Sequence, residues 1–252
     1  MDSAERADLV VARLKDRGEV GVVELAEATG HSEMTIRRDL DRLAAQGVLR
    51  RVRGGAVSLV PRGQEPPFGL RERQAADAKR RIAAEVGEMI PAGSAVVLDS
   101  GTTAVEVARV LNGRPVTVMP LSLQAAQALE PSADTRVLMP GGEVRAGELN
   151  LHGPLAEAAL AAVRFDVAVL GCCGLSVADG FTAHDLADVA VKRAAMRSAR
   201  RTIAATDSTK IGHVAMGHVC PVGDLDALVT DAGADEGAVA EIRAAGVAVV
   251  TV

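Results

Sequence analysis

Apolar residues in the first sixty positions recur at helical spacing three times and then pass into strand-like runs. Over residues 4–17, Ala7, Val10, Val11 and Leu14 share one helical face, and Gly18 stops the helix. Residues 23–29 predict a shorter helix with Leu25 and Ala26 turned inward, and Gly30 supplies a tight turn. Ser32 suits the start of a third helix, because its hydroxyl can accept from the open backbone N–H groups there. Ile36, Leu40 and Leu43 then fall at i, i+4 and i+7 and face a small core, and Gly47 ends the helix. Residues 48–53 and 56–60 read as two strands about Gly54-Gly55, a hairpin.

Beyond this point the pattern changes twice. Residues 61–71 (PRGQEPPFGLR) hold three Pro and two Gly, the composition of a linker. Residues 72–90 predict a helix with Ile82, Val86, Met89 and Ile90 on one stripe, stopped by Pro91. From Ser94 onward, short apolar runs alternate with helical stretches. The runs are 95–99, 116–120, 135–139, 166–171, 201–206, 226–231 and 247–252. Helical patterns occupy 103–111, 122–129, 154–163, 186–200 and 236–244. Nearly unbroken apolar strands between helices imply a mainly parallel sheet covered on both faces. The expected fold class is therefore α/β. A winged helix-turn-helix spans 1–60, a linker 61–71, and an α/β domain of sensor type 72–252. In such sheets ligands bind where loops leave the carboxyl ends of the strands.

Composition narrows the partners. Aromatic residues are 1% of the chain, with no Trp and no Tyr, so the core is aliphatic. Stacking of bases on aromatic rings is then hardly available, and a nucleic-acid partner would be duplex DNA. The formal net charge of −5 argues against DNA until its distribution is read. Residues 1–81 carry 16 Lys and Arg against 13 Asp and Glu, whereas residues 82–252 carry 12 against 20. Within 34–53 stand six Arg and two Asp. The asymmetry has the sign that a DNA-reading amino-terminal module requires. Three cysteines, two of them adjacent (Cys172, Cys173, Cys220), fit a reducing compartment. No basic stretch leads into an apolar one at the amino end, and no apolar run reaches bilayer length. A cytoplasmic protein without membrane contact is expected.

The third helix carries the DNA-reading candidates. Opposite its apolar stripe stand Thr35, Arg38 and Arg42, with Arg37 on the flank. Arg can make paired hydrogen bonds to guanine O6 and N7, and Thr can touch a thymine methyl. Ser32, at the helix start, can hold a phosphate. Arg50, Arg51 and Arg53 would line the hairpin, where phosphates or the minor groove come within reach. A solvated helix face would carry the same charges. The order of helix, Gly turn, capped helix and basic hairpin is what points to DNA.

A second set of candidates lies at strand exits. LDSGTTA (98–104) ends a strand just before a helix, and small residues there let a backbone approach an anion. Asp99, Ser100, Gly101, Thr102 and Thr103 form this turn, with three hydroxyls to spare. Gly141 and Gly142, followed by Arg145, mark a second Gly-rich exit. GCCGLSVADGFT (171–182), containing Gly174 and a turn at Asp179-Gly180, marks a third. Lys192, Asp207 and Lys210 add charges at two further strand–helix junctions. Cations and N–H groups suit a phosphate, and carboxylates suit sugar hydroxyls. Taken singly, Lys192 reads equally as a solvated charge and Asp207 as a cap. His213, His218 and Cys220 lack the spacing of a zinc site, and no metal or cofactor is implied.

These residues together resemble a known family. ELAEATGHSEMTIRRDLDRLAAQGVLRRVRGGAV is similar to the amino-terminal module of the DeoR family of bacterial transcriptional regulators. The match runs through Leu25, Ala26, Ser32, Thr35, Ile36, Arg37, Arg38, Asp39, Leu40, Gly47, Arg51, Gly54, Gly55 and Ala56. The carboxyl-terminal part resembles the family's effector domain, itself similar to the ribose-5-phosphate isomerase and CoA-transferase fold. That resemblance rests on Asp99-Ser100-Gly101-Thr102-Thr103, Gly141-Gly142, Arg145, Gly153, Gly171, Gly174, Gly180, Thr182, Lys192, Asp207 and Lys210. Four places depart from the family pattern. His31 replaces a small apolar residue, Arg53 stands where His is common, Pro120 and Leu121 replace Thr-Asn, and Ala183 follows Thr182 in place of a second Thr. The third change implies a less polar effector or weaker binding.

The resemblance implies a DNA-binding repressor of a sugar or carbon catabolism operon. Its affinity for double-stranded operator DNA would be modulated by a phosphorylated sugar or related metabolite, and it would act as a homodimer or homotetramer. The fold leaves two other readings open. One is a sugar-phosphate isomerase or CoA-transferase with an accessory DNA-binding module. The other is an oligomerisation platform without a ligand.

Overall fold

A computed structural model describes residues 1–45, 47–59 and 66–252 of the chain. Contacts divide it into two compact units, Met1–Gln74 and Ala75–Val252.

The first unit is built from α1 (Ser3–Arg17), β1 (Glu19–Gly21), α2 (Val22–Thr29), α3 (Glu33–Ala45), β2 (Leu49–Val52), β3 (Gly55–Ser58) and α4 (Phe68–Arg73). Val10, Leu14, Val20, Val22, Leu25, Ile36, Leu40, Leu43, Leu49 and Ala56 form its core. The apolar stripes of all three expected helices therefore meet. Two details differ from the sequence reading. The hairpin pairs Val52 with Gly55, so its turn is Arg53-Gly54 and Gly55 lies in a strand. A third strand, β1, pairs with β3 at Val20–Ala56 and was not foreseen, because three residues with one buried show no period. β1 also explains Gly55: a Cβ there would sit 2.0 Å from the Val20 carbonyl oxygen.

The expected linker is only partly a connection. Residues 60–65 lie outside the described residues, and 68–71 are helical. Leu70 packs on the first unit's core, and Arg71 donates to the Pro66 carbonyl at 2.8 Å with its guanidinium 5.8 Å from the Phe68 ring centre. The Pro-Gly content masked these local side-chain contacts. The helix expected over 72–90 is likewise interrupted. α4 ends at Arg73, Ala75 takes a left-handed conformation (φ 52°, ψ 34°), and α5 runs Ala76–Glu88. Nothing local signals this break, since alanine is the strongest helix former and the left-handed state costs it about 1–2 kcal/mol.

The second unit holds all seven expected strands: β4 (Ala95–Leu98), β5 (Val116–Pro120), β6 (Thr135–Val137), β9 (Phe165–Leu170), β12 (Ala199–Ala205), β14 (Ala227–Thr230) and β15 (Ala248–Thr251). They form one parallel sheet in the order β15-β14-β12-β9-β4-β5-β6. Helices α6 (Thr102–Leu111), α7 (Leu123–Gln127), α8 (Pro154–Ala162), α9 (Leu186–Ser198) and α10 (Glu236–Ala244) connect them. Two small antiparallel additions were not expected. They are the pair β7 (Glu143–Val144) and β8 (Leu151–His152), and the sheet of β10 (Gly174–Ser176), β11 (Gly180–Ala183) and β13 (Gly217–Cys220). Phe165 and Phe181 anchor a core otherwise made of aliphatic side chains.

The chain lays down β4 first, adds β5 and β6 on one side, and then places β9, β12, β14 and β15 on the other. The strand order thus reverses between β4 and β9, and the loops leaving their carboxyl ends must part there. α5 lies beside α6 so closely that a Cβ at Gly87 would meet Val110 Cγ1 at 2.5 Å. Arg114 fastens the end of α5 by donating to the Gly87 and Ile90 carbonyls at 2.6 and 2.9 Å.

Gly55→Ala is expected to destabilise the first unit by about 3 kcal/mol, because backbone must move to admit one methyl. Gly54→Ala, with open space but φ 82°, should cost only about 1–2 kcal/mol. Urea denaturation of the full chain separates the two.

Candidate DNA-contacting face and sensor site

α3 begins as expected. Ser32 Oγ accepts from the Thr35 N–H at 3.2 Å and shares a hydrogen bond with Thr35 Oγ1 at 3.0 Å. His31 closes the preceding turn by donating from Nδ1 to the Thr29 carbonyl at 2.8 Å, a role the usual small residue could not fill. Met34, 60% exposed beside Thr35, was passed over in the sequence. Its methyl group is of the kind that packs on a thymine methyl.

The arginines separate into two classes that their sequence positions did not reveal. Arg38, Arg50 and Arg53 are exposed and make no ion pair or hydrogen bond among the described residues. The others are engaged. Arg37 pairs with Glu33 one turn away at 2.9 Å, both exposed, a contact worth only a few tenths of a kcal/mol. Arg51 donates to Asp41 at 2.9 Å and to the Gly55 carbonyl at 2.8 Å, bracing the hairpin against α3. Arg42 reaches Ser3 Oγ at 2.8 Å, the Ser3 carbonyl at 3.1 Å and Asp39 at 3.4 Å. Asp39 is 5% exposed and also accepts from Arg6 Nε at 2.7 Å. Arg42, expected as a base reader, therefore sits in a charged clasp that holds α1 to α3.

At the carboxyl end of the sheet, Asp99 leaves β4 with 1% exposure. Its carboxylate accepts from the Gly171 N–H, just past β9, at 2.8 Å and from the Lys192 ammonium of α9. Lys192, itself 3% exposed, also lies 3.3 Å from Asp188 one turn earlier. Burial alone would lower the Lys192 pKa, but Asp188 and Asp99 outweigh it and raise it. Burial pushes Asp188 upward, with Asp99 adding to the rise and Lys192 opposing it. Two carboxylates thus share one ammonium across the switch point.

Beside this cluster α6 opens at Thr102 with Gly101 (φ 95°) at its cap and no side chain capping it. The hydroxyls of Ser100, Thr102 and Thr103 have no partner among the described residues. An uncapped helix start with three spare hydroxyls is an anion cradle in its chemistry. Past β12, Asp207 caps a short 3₁₀ turn that ends at Lys210, and its Oδ2 lies 4.0 Å from Lys79 Nζ of α5. Both of those charges are buried, and Lys79 gave no signal in sequence.

Two expected positions are held in close backbone packing. A Cβ at Gly174 would sit 2.3 Å from the His213 carbonyl oxygen, and one at Gly142 would sit 2.4 Å from that of His152. Gly141 (φ 72°) is the exposed turn residue beside it. Arg145 pairs at 3.2 Å with Asp185, the cap of α9, and so approaches the cluster from the helix start. Asp188, four residues before Lys192, was legible as a helical pair but was not singled out. Cys172 and Cys173 pack against the core, as their apolar setting suggested. Among the described residues no group of three or more His, Cys, Asp or Glu could hold a metal ion, and no helix is long and apolar enough to cross a membrane.

Comparison with known proteins agrees with this division. Residues 6–62 match the DeoR-like helix-turn-helix domain, and residues 74–232 match the DeoR C terminal sensor domain. The HTH-type transcriptional regulator GlpR of Haloferax volcanii is 32% identical over 98% of this chain and 97% of its own length. The glycerol-3-phosphate regulon repressor of Escherichia coli is 32% identical over 92% of each chain. Among solved structures, ribose 5-phosphate isomerase A of Methanocaldococcus jannaschii is similar at 16% identity, covering 55% of each chain with a TM-score of 0.40.

Lys192→Met would leave Asp99 and Asp188 facing each other without a cation. We expect a loss of about 3–5 kcal/mol at pH 7.5. The deficit should shrink toward pH 5, because Asp188, pushed upward by burial and by Asp99 and no longer opposed by Lys192, takes up a proton there. Denaturation at the two pH values checks the size and the sign.

Proposed function

This chain belongs to the DeoR family of transcriptional regulators, and on that premise we propose how its two units divide the work. The first unit binds operator DNA with α3 in the major groove, where Arg38 reads a base edge and Thr35 and Met34 touch neighbouring bases. Arg50 and Arg53 bind phosphates beside the groove, and Ser32 adds a phosphate contact at the helix start. Arg37 and Arg51 join them only by exchanging their carboxylate partners for phosphate. The observation that carries this reading is that Arg38, Arg50 and Arg53 are exposed with uncommitted guanidinium groups. A repressor of a sugar or carbon catabolism operon, working as a symmetric dimer or tetramer, fits half-sites about 34 Å apart.

The second unit takes a phosphorylated sugar or related metabolite. Its phosphate sits on the α6 start and the hydroxyls of Ser100, Thr102 and Thr103, and its remainder faces the Asp99–Lys192 pair. We read this site as sensing rather than catalytic. Lys192 holds its proton firmly across the neutral range, whereas an acid–base catalyst works best with a pKa near the operating pH. The route of coupling that we propose starts at Asp207, passes through Lys79 into α5, and reaches the left-handed joint at Ala75 that follows α4. Effector and DNA then weaken each other's binding reciprocally.

In mobility-shift titrations with DNA flanking its gene, Arg38→Ala should lower affinity about 10- to 100-fold and relax preference at one base pair. Arg50→Ala or Arg53→Ala should weaken all sequences alike and reduce the salt slope by about one. Unchanged affinity in the Arg38→Ala, Arg53→Ala double variant would refute this face. Lys79→Met should retain DNA binding while cutting the effector's influence on it, which is typically about 5- to 150-fold. Turnover of ribose 5-phosphate by the full chain would overturn the non-catalytic reading.

A further inference from the structure

One buried side chain beside the sensor cluster is left incomplete by the fold. Asn150 is 5% exposed and its Oδ1 has no hydrogen-bond partner among the described residues, although Nδ2 faces Asp188 Oδ1 at 3.5 Å. The orientation of the amide is dictated chemically: a carboxylate oxygen accepts only, so Nδ2 must face it and Oδ1 must point elsewhere. A buried acceptor left unmade is destabilising, and folds seldom retain one without a donor to come.

The setting places this orphan at the sheet's ligand-binding edge. Asn150 bridges to Ser122, two residues past β5, and its neighbours donate and accept across the same seam: Leu151 N to the Leu121 carbonyl at 2.8 Å, and Leu123 N to the Leu149 carbonyl at 2.9 Å. Two residues past Ser122, Gln124 Oε1 is a second buried acceptor without a donor among the described residues. Through Asp188, Asn150 is joined to Lys192 and so to Asp99, next to the α6 cradle. The cluster of Asp99, Asp188 and Lys192 carries a formal charge of −1, and the nearby Arg145 is already committed to Asp185.

We propose that Asn150 is a specificity-determining residue that accepts a hydrogen bond from a hydroxyl of the effector, and that this end of the site takes an uncharged polyol and refuses a carboxylate. The inference rests on the phosphate-effector reading above and adds the chemistry of the other end. A hydroxyl supplies the proton that Asn150 Oδ1 lacks. A carboxylate brings no proton and adds a second like charge to a net-negative, low-dielectric cluster. Pro120 and Leu121, which replace two polar residues of the family pattern, are buried and line up no competing donor here.

Isothermal titration of the full chain with matched pairs tests this. Glycerol 3-phosphate is set against 3-phosphoglycerate, and glucitol 6-phosphate against 6-phosphogluconate, so that within each pair a hydroxymethyl group becomes a carboxylate. Inorganic phosphate reads the cradle alone. In at least one pair the polyol phosphate should bind about tenfold or more tightly than its carboxylate partner and than inorganic phosphate. Asn150→Ala should erase about tenfold of that advantage while leaving inorganic phosphate binding unchanged, which also shows that the variant is folded. Asn150→Asp should weaken the polyol further. If phosphate binds but the carboxylates bind equally well, or if Asn150→Ala changes nothing, the inference fails and the cradle stands. If no phosphate compound binds at all, the effector reading fails and takes this one with it.

Discussion

One ammonium group holds the sensor unit's edge together. Lys192 is buried on α9, and it neutralises a carboxylate that the sheet places at the point where strand order reverses. Without that cation Asp99 would be an uncompensated buried charge at the carboxyl end of β4. With it, Asp99 accepts from the backbone just past β9, so three elements distant in sequence are tied at one oxygen. The same ammonium draws in Asp188, which brings Asn150, and the cluster ends with one negative charge in excess. The polarity of the site beside the α6 start therefore follows from the ion pair that closes the fold.

A parallel arrangement operates in the amino-terminal unit. Asp39 lies on the buried flank of α3 and gathers Arg6, Arg42 and Ser3. The charge of the helix is thereby divided. The buried Asp39 helps hold the scaffold, while Arg38 on the outer side stays uncommitted among the described residues. The apolar core packs α3 on α1, and the Asp39 clasp adds a polar tie between them. The two Asp among six Arg over 34–53 are thus part of the machinery.

Both units place charge at helix starts and strand exits, where backbone N–H groups are unspent and loops diverge. The joint between them has the same economy. Residues 68–73 pack with the first unit through Leu70, and α5 begins three residues later and soon carries Lys79 to Asp207. A left-handed alanine separates them. Such a residue is held by its surroundings rather than by its own preference.

Periodicity alone determined the seven strands, the three amino-terminal helices and the Ser32 cap, because each depends on residues within one or two turns of one another. The basic face of α3 was legible for the same reason, whereas the strand order, and with it the switch point, came only from the packed sheet. Only the tertiary structure decided which arginines are free, since Arg42 and Ser3, or Arg51 and Asp41, meet through folding and not through spacing. It also decided that Gly55, Gly142 and Gly174 serve close backbone packing, that α4 exists within a Pro-rich stretch, and that Lys79, Asp188 and Asn150 belong at the sensor edge. Local patterns report which face of an element is buried. The partners of a buried charge lie on other elements, often many tens of residues away, and are chosen only when the elements pack.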